Sequence, residues 1–170
     1  MSHSFSLAAM SPSLKWLTTA VLTLPLILGV IALTTHEPVS GGVALLLIAV
    51  CGGVWLWCRP YRFVVADDDL KMVFPGWQRT VPIGSISRVR CISKETFYQE
   101  FGWAMRIGVG GLWGGFGWLW TSKQGLIEFY ISQLDEFVLV ERSHGRSLLI
   151  TPEHPIRFVE VVQNLLTHSA

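Results

Sequence analysis

The chain has 170 residues, room for one ordinary domain and a little more. It is 51% hydrophobic and 15% charged, with a mean hydropathy of +0.46, where about 25% charged is usual for soluble proteins. A net charge of +1 excludes the strongly basic footprint of a nucleic-acid binder. The three cysteines, Cys51, Cys58 and Cys91, form no CxxC pair, which argues against a disulfide framework or a zinc site and predicts buried free thiols.

Residues 1–15 read as a short N-terminal tail. Residues 16–58 read as a transmembrane helical hairpin. Trp16 to Thr34 gives nineteen residues without a charge, about 28 Å of helix at roughly 1.5 Å per residue. Gly41 to Cys58 gives a second uncharged run of eighteen. Pro25 and the glycines weaken a soluble helix but are tolerated in a membrane-spanning one. The linking sequence THEPVS, Thr35 to Ser40, is short enough to force the two antiparallel. A cleaved signal peptide is disfavoured because the first run is long for an h-region and no A-x-A site follows. Core helices of a soluble protein are disfavoured by the lack of any polar face. Lys15 precedes the first run, Arg59 and Arg62 follow the second, and the link has no Lys or Arg. The positive-inside rule therefore predicts both termini in the cytoplasm, with Trp16, Trp55, Trp57 and Tyr61 as anchors at that interface.

Beyond Tyr61 the pattern becomes that of short strands. Arg62 to Ala66 is rich in β-formers, and Asp67, Asp68 and Asp69 read as the turn that ends it. Leu70, Met72 and Phe74 alternate with Lys71 and Val73, the period of a half-buried strand. After the turn at Pro75-Gly76 come strands over Arg79 to Pro82 and Ile86 to Ile92. In the second of these, Arg88 and Arg90 face away from Val89 and Cys91. Leu126 to Ile131 and Phe137 to Arg142 are again strand-like, and Ser143-His144-Gly145 turns the chain into Arg146 to Ile150. Pro155 suits a first helical turn. Phe158, Val159, Val162, Leu165 and Leu166 then share one face of an amphipathic C-terminal helix.

Several motifs carry a resemblance: the opening Arg62-Phe63-Val64-Val65 strand, the run GVGGLWGGFGWLW, the Phe129-Tyr130-Ile131 strand, and the passage LLITPEHPIRF into the last helix. On these residues the chain resembles the bacterial pleckstrin-homology-like (bacterial PH) domain proteins, in which a membrane hairpin precedes the domain. The resemblance implies a membrane-anchored α+β fold. Residues 59–170 would form a seven-stranded antiparallel β-sandwich or barrel capped by the C-terminal helix, at the inner face of the bacterial cytoplasmic membrane. Phosphoinositide-binding relatives place basic residues in the first hairpin loop. This chain has Asp67, Asp68 and Asp69 there, so that activity is not carried over.

Residues 101–121, FGWAMRIGVGGLWGGFGWLWT, carry seven of the sixteen glycines and four of the eight tryptophans. Three readings compete. A third membrane span would split one sandwich across the bilayer. A core reading makes Phe116, Trp118 and Trp120 one face of a strand. The favoured reading is an excursion from the sandwich whose aromatic face meets the bilayer or a partner. Trp103, Arg106, Trp113, Phe116, Trp118 and Trp120 are its expected contact residues, with Arg88 and Arg90 as outward cations within reach of lipid phosphates.

No residue set amounts to a catalytic or metal site. The acidic trio lacks the alternate spacing of a calcium loop. The five histidines form no HxH or HExxH pair, and Glu153-His154 sits where helix capping explains it. No nucleotide or nucleophile motif occurs. The expectation is a non-enzymatic membrane scaffold or accessory subunit with no cofactor, whose partners are the bilayer and another membrane protein or complex. A lipid- or small-ligand-binding sensor is the first alternative, and a membrane enzyme without a recognisable motif the second.

Overall fold

Two apolar helices and two packed β-sheets build the computed structural model, which describes residues 2–168. Met1, Ser169 and Ala170, the outermost residues of the expected tail and domain, lie outside the described residues. Helix α1 (Pro12–Thr35) opens with proline in its first turn, absorbs Pro25, and ends where His36 turns left-handed at φ 57°. Helix α2 (Pro38–Gly53) starts on a second proline and runs into a wider π-helical turn, Val54–Cys58. The link is therefore His36 and Glu37, shorter than the six residues expected. Helix α1, and α2 together with its π-helical turn, are each long and apolar enough to cross a membrane, and most of their surface faces outward, including Leu24, Leu26, Leu45 and Leu46.

The tail is not a free tail. Its residues His3–Ser6 form β1, antiparallel to β2 (Arg62–Val65), so the chain ahead of α1 and the chain after α2 meet in one sheet. Four further backbone bonds fasten this segment: Leu7 N–H to Tyr61 (3.1 Å), Ala8 N–H to Thr151 (2.9 Å), Ser11 N–H to Ser132 (3.1 Å) and Glu153 N–H to the Ser6 carbonyl (2.9 Å). The Ser132 hydroxyl donates to the Ala8 carbonyl at 2.6 Å.

The first sheet continues with β3 (Asp69–Val73) and β4 (Gln78–Pro82), in the order β1-β2-β3-β4. The second has six strands: β5 (Ile86–Ser93), β6 (Ala104–Gly110), β7 (Gly115–Thr121), β8 (Gly125–Ile131), β9 (Glu136–Arg142) and β10 (Leu148–Ile150). Its order is β5-β9-β10-β8-β7-β6, antiparallel except where β10 lies parallel to β8. The expected alternation holds: Leu70, Met72 and Phe74 all point inward, and Phe158, Val159 and Val162 of helix α4 (Pro155–His168) join them. Leu165 and Leu166 pack against the same cluster. This core also takes Phe5 and Phe63, each edge-on to Phe158 at 5.2 and 6.3 Å.

Ten strands stand among the described residues where seven were expected. The additions are β1 and the pair β6–β7, built from the glycine- and tryptophan-rich stretch. An unforeseen helix, α3 (Lys94–Phe101), lies on the outer face of the six-stranded sheet. The Ser93 hydroxyl caps it by accepting from Thr96 N–H at 3.2 Å, and Gly102 ends it at φ 74°. Its Phe97 and Phe101 build a second core with Ile127, Phe129, Phe137 and Leu139. Of the cysteines, Cys51 is buried, Cys58 half-buried and Cys91 exposed, so the expectation of buried thiols fails at Cys91.

Candidate functional site

Two contacts seat the domain on the helical hairpin. In the first, the turn between β3 and β4 reaches the π-helical turn that follows α2: Trp77 stacks on Phe74 (centroids 4.3 Å apart, 6° between planes) and donates its indole N–H to the Trp57 carbonyl at 3.1 Å. In the second, the tip of the β6–β7 hairpin reaches α1. The buried Thr18 hydroxyl donates to the Gly111 carbonyl at 2.8 Å and accepts from Trp113 N–H at 3.0 Å. Leu17 occupies the space a Cβ on Gly111 would need, and Gly111 has φ 98°, so only glycine fits this close approach. Trp113 itself is left-handed at φ 55°, an uncommon state for so large a residue, held by the Thr18 bond.

The register of β6 on β7 decides which side chains share a face. Met105 opposes Trp120, Ile107 opposes Trp118 and Val109 opposes Phe116; on β8, Trp118 faces Glu128 and Phe116 faces Tyr130. That face looks toward the four-stranded sheet, whose edge strand β4 ends over β8. Arg79 of β4 forms a two-pronged ion pair with the buried Glu128, with one arm at 3.0 Å, and Glu128 hydrogen-bonds hold the Arg79 guanidinium firmly charged. Burial pushes the neighbouring Tyr130 phenol up from its ordinary value.

Six strands covered by four leave an overhang. On it Trp118 and Trp120 are each 45% exposed, Trp103 is 64% exposed and rests edge-on to Trp120 at 6.3 Å, and Met105 and Ile107 lie open beside them. The result is an uncovered aromatic shelf, walled by the edge of the first sheet and continuous at one end with α1. Phe116 shares the face but is only 2% exposed, because it sits under the seat where the hairpin meets α1. As a contact residue it is corrected to a packing residue.

Arg106 is likewise separated from the aromatic set. It points to the opposite face, folds back toward Gly110, and lies 5.9 Å above the Phe129 ring. Arg90 does not stand free for phosphates. Glu100 of α3 grips it with two bonds (2.7 and 2.5 Å) and Glu141 of β9 adds another at 2.9 Å. Arg88 is exposed, as expected of it. Trp16, Trp55, Trp57 and Tyr61 are all exposed near the domain ends of the two helices, where anchors were expected. The missed elements had signals: Ser93 three residues before Thr96, Phe97 and Phe101 four apart, and Gly102 as a stop. Among the described residues no three His, Cys, Asp or Glu side chains gather to hold a metal.

A sandwich of two antiparallel-built sheets closed by a C-terminal helix now has its counterpart in sequence, because the profile of the bacterial PH domain family matches residues 61–166. The chain belongs to the bacterial PH domain family. The match begins just ahead of β2 and ends within α4, so in this bacterial PH domain β1 and both apolar helices are added from outside the matched span, while the β6–β7 shelf lies within it. No curated protein and no solved structure matches the chain.

The Arg90 clamp makes a prediction about pH. Arg90 hydrogen bonds hold the Glu100 carboxyl below its ordinary range. A carboxylate depressed by folding adds stability above its unfolded value, about 4.3, and loses it as pH falls through the folded one. Hydrogen exchange in residues 97–101, corrected for intrinsic rate, is expected to rise below about pH 4, near that unfolded value. The Arg90→Gln variant should show fast exchange there at neutral pH and little further change on acidification.

Proposed function

We propose that this protein is a non-enzymatic, two-pass protein of the bacterial cytoplasmic membrane whose PH domain holds a partner membrane protein on the shelf. Both termini and the domain lie on the cytoplasmic side in this reading. Lys15, Arg59 and Arg62 lie at the domain end of the hairpin, and the His36-Glu37 link carries no Lys or Arg, which favours that orientation. The observation that carries the reading is the shelf: Trp103, Met105, Ile107, Trp118 and Trp120 form one open apolar surface that runs into α1. Surfaces of this kind on a folded domain mark interaction sites, and tryptophan leads among interface hot spots.

The occupant that fits is an apolar segment of a protein emerging from the same bilayer, because the shelf begins where α1 enters lipid. Strand β6 also offers it backbone groups. Ser122 N–H bonds Trp103 C=O, so by the antiparallel alternation Ala104, Arg106, Gly108 and Gly110 turn their N–H and C=O groups outward. Arg106 is the one charge along that edge, a weak guard against an added strand.

The test is recovery of partners from gently solubilised membranes, with the full-length chain and a Trp118→Ser/Trp120→Ser variant. Both side chains are half exposed, so the variant should keep its fold by circular dichroism. Loss of a hot-spot pair, about 2 kcal/mol or more, should reduce co-purifying partner by at least about tenfold. Equal recovery with both chains would sink the shelf as the binding surface. Anionic-lipid binding finds less support, since Arg90 is already paired and Arg88 alone remains of that couple.

A further inference from the structure

The side of the six-stranded sheet away from the shelf holds a cavity of about 260 Å³ under α3. Its floor is Leu119, Phe129 and Leu149, its roof is Phe97, and Lys94 and Arg106 stand in its lining as the two cations. An eight-residue helix is too short to cover seven-residue strands side by side, so the sheet is left with more apolar surface than α3 can fill. A partly open, mainly apolar recess of this size gains stability when an apolar occupant displaces water from it. Neither Lys94 nor Arg106 is in an ion pair among the described residues, whereas the Glu100 that α3 also carries is fully engaged with Arg90. The cavity is therefore lined mainly by apolar side chains, with Tyr98 as a neutral polar group and Lys94 and Arg106 as its only charges among the described residues.

We propose that this cavity binds one acyl chain bearing a carboxylate, a fatty-acid-type amphiphile, with the head on Arg106. Several features select that chemistry. The volume lies below the roughly 300–1,000 Å³ of drug-sized sites, which suits one chain rather than a two-chain lipid. The planar guanidinium of Arg106 matches a carboxylate in two-pronged geometry, and it is held at the cavity wall over Phe129. Gly110 supplies the room that lets the arginine fold back in this way. The site is on the opposite face of the hairpin from the shelf and stands whether or not a partner docks there.

The experiment uses the full chain in zwitterionic-lipid nanodiscs and a dodecanoate carrying a diazirine near its methyl end. Photolabelling is expected to saturate and to map to peptides containing Phe97, Phe129 or Phe137. Dodecanoate should compete and dodecyltrimethylammonium should not. Arg106→Gln, at an exposed position, should weaken labelling about tenfold, the scale of a lost charge-assisted bond. Ala104→Phe, which fills the cavity from β6, should abolish it while circular dichroism stays unchanged. Labelling confined to α1 and α2, competition by the cationic chain as strong as by dodecanoate, or an Arg106→Gln variant that labels like the parent would each overturn the assignment.

Discussion

Phe158→Ala will lower the stability of the domain by about 3–5 kcal/mol, the usual cost of emptying a large aromatic site in a packed core. The ring is fully buried and joins its own helix α4 to two elements from other parts of the chain, through Phe5 on β1 and Phe63 on β2. A collapse to refill the space would have to draw β1 and α4 together across Phe63. The backbone bonds of Leu7 and Ala8 to Tyr61 and Thr151 resist that movement. Beyond the shift in the denaturation midpoint, hydrogen exchange in residues 3–8 should rise more than in β9, because β1 has a partner on one side only. Ile156→Ala on the same helix, at a position 70% exposed, serves as the control and should leave the midpoint nearly unchanged. If the two variants unfold alike, the account of Phe158 as the joint between helix and strands is wrong.

The second large effect falls on Glu128. Glu128→Leu leaves the Arg79 guanidinium beside Tyr130 with no carboxylate, and breaking a buried pair on one side costs about 3–5 kcal/mol. The Arg79 side chain keeps 29% of its exposure, so partial access to water should put the loss near the lower end of that range. Removing both charges in Arg79→Met/Glu128→Leu should restore most of the stability, since an apolar pair of similar volume has no stranded ion to desolvate. The four-chain cycle, parent, two singles and the double, measures the coupling directly. Singles that add to the double would show that the ion pair does not join the two sheets energetically.

Most of the sandwich was legible because its strands alternate. Leu70, Met72 and Phe74, and the α4 stripe from Phe158 to Leu166, state their faces in their spacing. Strand β1 did not, since four residues with Phe5 alone buried carry no period, and its partner is more than fifty positions away. Helix α3 reads as polar because its glutamates and lysine answer to Arg90 and solvent rather than to a core, and only two phenylalanines mark its inner side. The glycine-rich stretch invited an excursion because glycine is poor in regular strands. In the folded chain those glycines pair with one another, Gly108 with Gly117 and Gly110 with Gly115, inside an antiparallel ladder whose Gly108 and Gly117 hold φ of 139° and 130°, out of reach of most other residues. The alternation of Phe116, Trp118 and Trp120 correctly put them on one face. Which of them is buried depended on where β4 ends and where Thr18 stands, and neither is written in that stretch.

Pairing between β1 and β2 also carries a consequence for how the chain is made. The first strand leaves the ribosome before either apolar helix, and its partner follows only after both. In a membrane, a chain that threads one helix and not the other strands residues 3–6 across the bilayer from residues 62–65, and the first sheet then lacks an edge. If the two helices span a bilayer as proposed, only a correctly threaded chain could complete the first sheet, and a misthreaded one would keep the edge of β2 open.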